Sequence, residues 1–442
     1  MDFTGAYGRR DFVRFLIPLI AAELFQQIYG LINTAVVSRA LDYNALAVIG
    51  SCSGLLEVRG NILTGMFYGF GIYLGAAVGS GDPRRLSAAF SACLKYTFFL
   101  SLLGAAAAFG VQPLMDLGRI PLELRGDAAL YLSVSFAGSG AAAVRLLLLV
   151  LLQAVGDTAF FSLLASLGAV ANTVLVVGLI GVLKGSVACS SLAAVLTDLL
   201  LALFLFWYIR RKKPQLFRTI PWRNVPKTIR RQLLENGFAK TAYFFLGALG
   251  AVILQRGINT LPSRLIAGQA LALPLQGILL APLGELGTAS GVMTGQNVGA
   301  GKYENVLAGH RRLTRIFLVL GFAETILAWL SGRILLAYTA GSSADFLVIE
   351  SAFSWLRITA LFLPVSLGIL YRNTLQAMGR YPFVIALGVT ELLICMLTAW
   401  FLIPSLGLAG GALGVGLSWG IQALLGTVLF SVSLKGGSKN GY

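Results

Sequence analysis

Apolar runs of about 20 residues follow one another from Phe15 to Leu434 with only short polar breaks between them. A helix of that length crosses a hydrocarbon core about 30 Å thick. In hydrocarbon every backbone N–H and C=O must find its partner within the segment, so each run is expected to be helical. A membrane barrel would show strands of about ten residues with alternating polarity, and no such pattern occurs here. Composition points the same way. Only 12% of the residues are charged and 57% are hydrophobic, whereas a soluble domain averages about 25% charged. The 52 glycines suit helices that approach closely in lipid. The expected fold class is an all-α polytopic membrane protein.

Twelve spans are expected. The first six are Phe15–Val37, Ala45–Val78, Ala88–Gly110, Leu130–Ala154, Ala159–Leu183 and Ser186–Tyr208. The second six are Asn236–Thr260, Ile266–Val298, Leu313–Leu336, Phe346–Leu370, Phe383–Pro404 and Leu408–Leu434. The first run begins near Phe12 and continues for a full span, which reads as a membrane helix rather than a cleavable signal. Between the two sets lies Ile209–Arg231, which carries nine Lys and Arg and no acid. The chain therefore divides into an N-lobe at 1–208, a basic connector at 209–231 and a C-lobe at 232–442.

The net charge of +16 is not that of a nucleic-acid binder, because the basic residues cluster in the short loops between apolar runs. That placement sets orientation and meets anionic lipid head groups. Roughly two thirds of the 34 Lys and Arg fall at the termini, in the connector or in loops after even-numbered spans. Both termini are therefore expected to be cytoplasmic. Cys52, Cys93, Cys189 and Cys395 stand singly inside apolar runs, as small core residues do. The single histidine, His310, falls in a basic loop, which leaves no basis for a His-centred metal site or catalytic triad. No GxxxxGK[ST] phosphate loop occurs, so ATP-driven pumping is not expected. No cluster of catalytic groups points to an enzyme.

The halves repeat. Gly75–Gly81 (GAAVGSG) returns as Gly295–Gly301 (GQNVGAG), 220 residues on. Leu152–Phe160 (LQAVGDTAF) returns as Leu375–Phe383 (LQAMGRYPF) at an offset of 223. A weaker match sets Val187–Val195 against Leu408–Gly416 at 221. Three matches in order at nearly constant offset indicate duplication. With an even number of spans each, the copies share one orientation, related by a pseudo-twofold along the membrane normal with a cavity between lobes. The repeated motifs themselves read as helix C-caps rather than ligands.

The same segments resemble the multidrug and toxic compound extrusion (MATE) family, within the superfamily that includes lipid-linked oligosaccharide flippases. The resemblance runs through IPLIAAELFQQIYGLINTAVVSRAL, ALAVIGS, GAAVGSGDPRR, LQAVGDT, GQNVGAG and LQAMGR, in family order over nearly the whole chain. It implies two six-helix lobes forming a V, alternately open to either side. It also implies export of cationic organic compounds coupled to Na⁺ or H⁺. The departures lie at the coupling acids. The first-helix aspartate of many relatives matches Asn33, and a fifth-helix acid falls on Val176, beside Asn172. Other branches use acids in helices seven and ten. Here the seventh span has none and the tenth has only Glu350 near its outer end.

Ionisable groups deep in a span are costly and mark sites by default. The mid-depth set is Glu23, Glu57, Arg59, Arg145, Asp198, Glu324, Arg357 and Glu391, with Arg256 and Glu285 nearer span ends. Lys240 and Arg372 are expected to snorkel to the interface. The plain structural reading pairs these charges across helices, for example Glu57 or Glu23 with Arg145. The functional reading puts Glu23, Gln27 and Asn33 on one face of the first helix, lining the N-lobe cavity, with Glu23 replacing the missing acid. Arg59, Arg145 and Arg357 suggest an alternative, an anionic or lipid-linked substrate. The chain is thus read as a monomeric plasma-membrane secondary transporter of a drug-like, cationic or amphipathic small molecule. H⁺ or Na⁺ is its coupling ion; no cofactor, structural metal or nucleic-acid partner is expected. A non-transporting receptor on the same fold is the alternative of a different class.

Overall fold

The computed structural model describes residues 9–79, 82–154, 158–212, 214, 224–341 and 345–437, and among them there is helix and no strand. Long helices α1 (Arg9–Ala40), α2 (Tyr43–Gly79) and α3 (Pro83–Ala107) come first. The Asp42 carboxylate accepts from the Ala45 N–H at 3.1 Å and starts α2. Asp82 caps α3 by accepting from the Arg84 N–H, with Pro83 in the first turn, where its missing N–H costs nothing. A short α4 (Val111–Gly118) extends the third span and ends where Arg119 turns left-handed at φ 52°. The polar stretch after it is tied by an Arg125–Asp116 ion pair at 2.7 Å.

The fourth span is broken. α5 (Arg125–Ala137) stops at Gly138 and α6 (Ser139–Ala154) resumes. α7 (Thr158–Val176) runs into a π-helical turn at Val177–Val182, and α8 (Ala188–Lys212) closes the first half. α9 (Lys227–Ile258) and α10 (Ser263–Gly299) follow, α10 with Pro274 and Pro282 inside it. α11 (Tyr303–Ala340) ends at Gly341, whose φ of +90° is open to glycine and strained for other residues. The tenth span is also broken: α12 (Phe346–Ala360) gives way to a 3₁₀ turn, Leu363–Val365, before α13 (Gly368–Ala377). α14 (Tyr381–Leu397) runs into a second π-helical turn at Thr398–Leu402, then α15 (Ile403–Leu406) and α16 (Leu408–Gly437) end the chain.

The duplication read from motifs is visible in the backbone itself. The fourth and tenth spans carry the breaks, and the two π turns start at Val177 and Thr398, 221 residues apart. π turns are rare, so their recurrence at the sequence offset is not a matter of chance placement. Of the motifs, 80–81 and 155–157 lie outside the described residues, as do 213 and 215–223 of the connector. Among the described residues ten helices are long and apolar enough to cross a membrane, with Ser166–Val182 a shorter apolar helix. α1, 32 residues long, is a further full-length helix beside those ten.

The described residues pack as two compact units. In Ser51–Arg256, the core gathers Phe67, Phe70, Phe90, Leu148, Leu205 and Leu233. There α2 meets α9 through Gly65 and Gly69, where any Cβ would overlap the Thr241 and Asn236 backbone. In the other unit, Met1–Gly50 with Gly257–Tyr442, α1 packs along α10, and α10 packs on α11, α12 and α13. Gly410 and Gly414 of α16 seat the second π turn, facing Leu402 and Thr398.

Candidate functional site

In the unit that holds α1, Gln27 Nε2 donates to Glu23 Oε1 at 2.7 Å, one helical turn away. Gly277 of α10 leaves the space that the Gln27 amide fills. Glu285, two turns along α10, lies within electrostatic reach of Glu23. Pro282, one turn before Glu285, removes the N–H that would bond the Ile278 carbonyl. Two carboxylates, a side-chain amide and a released carbonyl thus lie on one pair of packed helices, all oxygen donors suited to a proton or a hard cation. Asn33 is half-buried further along α1. Glu285 sits well inside α10 (Ser263–Gly299), not near a span end. The Pro-x-x-Glu spacing at 282–285 was the signal in the sequence for it.

The unit Ser51–Arg256 holds a different cluster. Arg145 Nε pairs with Asp198 Oδ1 at 2.6 Å, so the arginine's partner is Asp198 of α8, not Glu57 or Glu23. Beside it Asn172 Nδ2 donates to Thr197 Oγ1 at 3.4 Å. Arg59 Nη1 donates to the Ser135 carbonyl, in electrostatic reach of Asp198, Tyr131 and Arg145. Glu57 is exposed on another side of α2, and Val176 is buried at 1% exposure.

In the first unit Arg372 does not snorkel. Its Nη2 donates at 2.7 Å both to Glu391 Oε2 of α14 and to Gln422 Oε1 of α16, and Gln422 in turn donates to Ser418 at 3.1 Å. Arg357 is exposed, not core, lying 5.5 Å from the Trp329 ring centroid and 5.7 Å from that of Phe353. Arg357 is thus not one of a core arginine set, and Arg59 and Arg145 form their own cluster within Ser51–Arg256. Glu324 is 7% exposed, and its Oε2 has no hydrogen-bond partner among the described residues. His310 belongs to α11, not a loop: it is buried between Tyr371 and Phe430, with Nδ1 3.2 Å from Thr374 Oγ1.

Two matching halves of helices, broken and π-turned at equivalent places, with ionisable side chains held inside the spans, define a duplicated membrane-transporter fold. The MatE family model matches residues 18–177 and 244–401, one stretch in each half. The chain belongs to the MatE family. It is 24% identical over 314 residues to "Probable multidrug resistance protein YoeA" of Bacillus subtilis (strain 168), covering 67% of this chain and 66% of that one. It is 22% identical to "Probable multidrug resistance protein YpnP" of the same strain, over 95% of this chain and 94% of that one. Among solved structures, an inward-facing conformation of a multidrug resistance MATE family transporter of the MOP superfamily superposes with a TM-score of 0.82 at 18% identity, covering 94% of this chain and 96% of that one. An outward-facing conformation of such a transporter gives 0.71 at 18% identity, over 100% and 98%. A MOP superfamily transporter from Pyrococcus furiosus, described by the reverse polarity of its binding pocket, gives 0.69 at 18% identity over the same shares.

Proposed function

We propose that the protein is a secondary active transporter of the plasma membrane. It exports drug-like organic compounds, cationic or amphipathic, by alternating access of a 1–208 lobe and a 232–442 lobe, in exchange for H⁺ or Na⁺. It works as a monomer with both termini cytoplasmic, its basic loops against anionic lipid head groups. The observation that supports this reading is the Glu23–Gln27 pair on α1 with Glu285 on the adjoining α10. Two carboxylates within reach of each other repel, and a bound cation relieves that repulsion. An organic cation and a coupling ion then compete for the same negative charge, and such competition is reciprocal. Exchange follows when only one of them can occupy the site in each conformation.

The test is efflux of a fluorescent organic cation from proteoliposomes under an imposed pH or Na⁺ gradient. Gradient-driven efflux is expected in the wild type, with at least a tenfold loss in Glu23→Gln and in Glu285→Gln. Wild-type rates in a well-folded Glu23→Gln protein would overturn the assignment.

A further inference from the structure

Where α11 packs against the broken tenth span, the buried carboxyl of Glu324 has no part in the transport reading. Gly321 of α11 meets the backbone of Leu363 and Pro364, and a Cβ there would sit 2.7 Å from the Pro364 Cα. One turn on, Thr325 Oγ1 donates to the Ala360 carbonyl at 2.7 Å, and Trp329 Nε1 donates to that of Arg357 at 3.2 Å. Glu324, three residues after Gly321, shares its face. This register sets Glu324 level with the end of α12, just before the 3₁₀ turn. The first copy makes the same contact without an acid. Gly104 of α3 lies against Ser139, each 221 residues before Thr325 and Ala360, and the residue before Gly104 is Leu103. The break itself therefore does not require a carboxyl.

No counter-charge answers it. The elements packed on α11 are α1, α10, α12 and the turn Leu363–Val365. Their charges inside the spans are engaged elsewhere. Glu23 and Glu285 lie in reach of each other, Arg264 pairs with Asp345 and Glu350 with Arg333. Arg39 donates to the Tyr338 carbonyl, and Arg357 lies over Trp329. The turn carries no charge. Among the described residues no hydrogen bond, ion pair or charged group reaches Glu324, whose Oε2 is sealed from solvent. A carboxylate there would stand in the apolar interior of a span and beside the negative end of the α12 dipole, and both oppose the charge. A metal cation would need several oxygen ligands around it. A proton needs none and removes the charge where it arises. Helix ends inside a span are also where transporters hold coupling ions and protons.

We propose that Glu324 holds a proton at the break in the tenth span and gives it to water when Pro364 moves off Gly321. As a second proton site beside Glu23 and Glu285 it rests on the transport reading, but the proton is measured without transport. Infrared spectra of full-length protein in detergent at neutral pH are expected to contain the carbonyl stretch of a protonated carboxylic acid that Glu324→Gln removes. A wild-type spectrum that shows no such loss would overturn the site. Gly321→Ala leaves Glu324 in place and forces the break away from α11, and should lower that band by at least half as water ionises the carboxyl. Thr325→Val, which removes the bond to the Ala360 carbonyl, should act in the same direction and decides the matter if Gly321→Ala does not fold. An undiminished band in the folded variants would overturn release by opening. In proteoliposomes Glu324→Gln should slow pH-driven efflux of the organic cation at least tenfold, and wild-type rates would remove Glu324 from the cycle. No pH-driven efflux from the wild type, with the band present, would sink the coupling to H⁺ and keep the proton site.

Discussion

Arg145 and Asp198 hold each other, and each leaves the other exposed if it is removed. Their side chains are 25% and 19% exposed, between the surface pair worth about 0–1 kcal/mol and the buried pair whose breaking costs about 3–5 kcal/mol. Asp198→Asn leaves Arg145 and Arg59 facing each other and is expected to cost about 2 kcal/mol. Arg145→Gln in that background should restore part of it, a coupling that thermal unfolding of the four proteins of the cycle measures. Glu324 is the opposite case. Buried with one oxygen unpartnered among the described residues, it gains no pairing energy from them at that oxygen, so Glu324→Leu should hold or raise the melting temperature; a drop of several degrees would reveal a partner role. The sequence showed which charges lie deep but not which meet. Depth follows from counting along an apolar run, whereas pairing depends on helix rotation and on breaks. Arg372 illustrates this, since the break after Ala360 makes α13 a separate segment and turns Arg372 toward Glu391 and Gln422.

Helices that pack in lipid gain little from burial, because hydrocarbon solvates them as well as a neighbouring helix does, so close backbone approach decides which faces meet. At Gly65 and Gly69, α2 touches the backbone of α9. Gly69→Ala places a methyl group into the Asn236 carbonyl region and is expected to cost about 2 kcal/mol by overpacking. Gly247→Ala on α9 meets nothing within 4 Å and should gain up to about 1 kcal/mol of helix propensity. Melting both variants in detergent separates contact from propensity: equal and small shifts would mean that the α2–α9 approach carries no stability. Helix existence and length were legible in the sequence because bilayer thickness fixes them. The breaks and π turns were not. Gly138 looks like many other glycines in the chain, and what singles it out is the Val195 side chain of α8 filling the space its own would take.

Duplication constrains the whole molecule more than any single site does. Motifs at offsets of 220 to 223 residues, two family-model matches and two π turns 221 apart describe one plan laid down twice. Each copy carries an even number of expected spans, so equivalent loops must open on the same side of the membrane, a consequence that charge counting alone would not impose. Arg84 and Lys302 start or precede equivalent helices and should share one side, while Lys184 and Ser405, after equivalent π turns, should share the other. From the surplus of Lys and Arg the first pair is expected on the cytoplasmic side. In a cysteine-free background, Lys184→Cys and Ser405→Cys are expected to react with a membrane-impermeant maleimide in intact cells. Arg84→Cys and Lys302→Cys should react only after permeabilisation. Members of a pair labelling from opposite sides would mean an odd number of crossings in each half and an inverted repeat. The pseudo-twofold would then lie in the membrane plane, and the lobes could no longer be two copies standing the same way up.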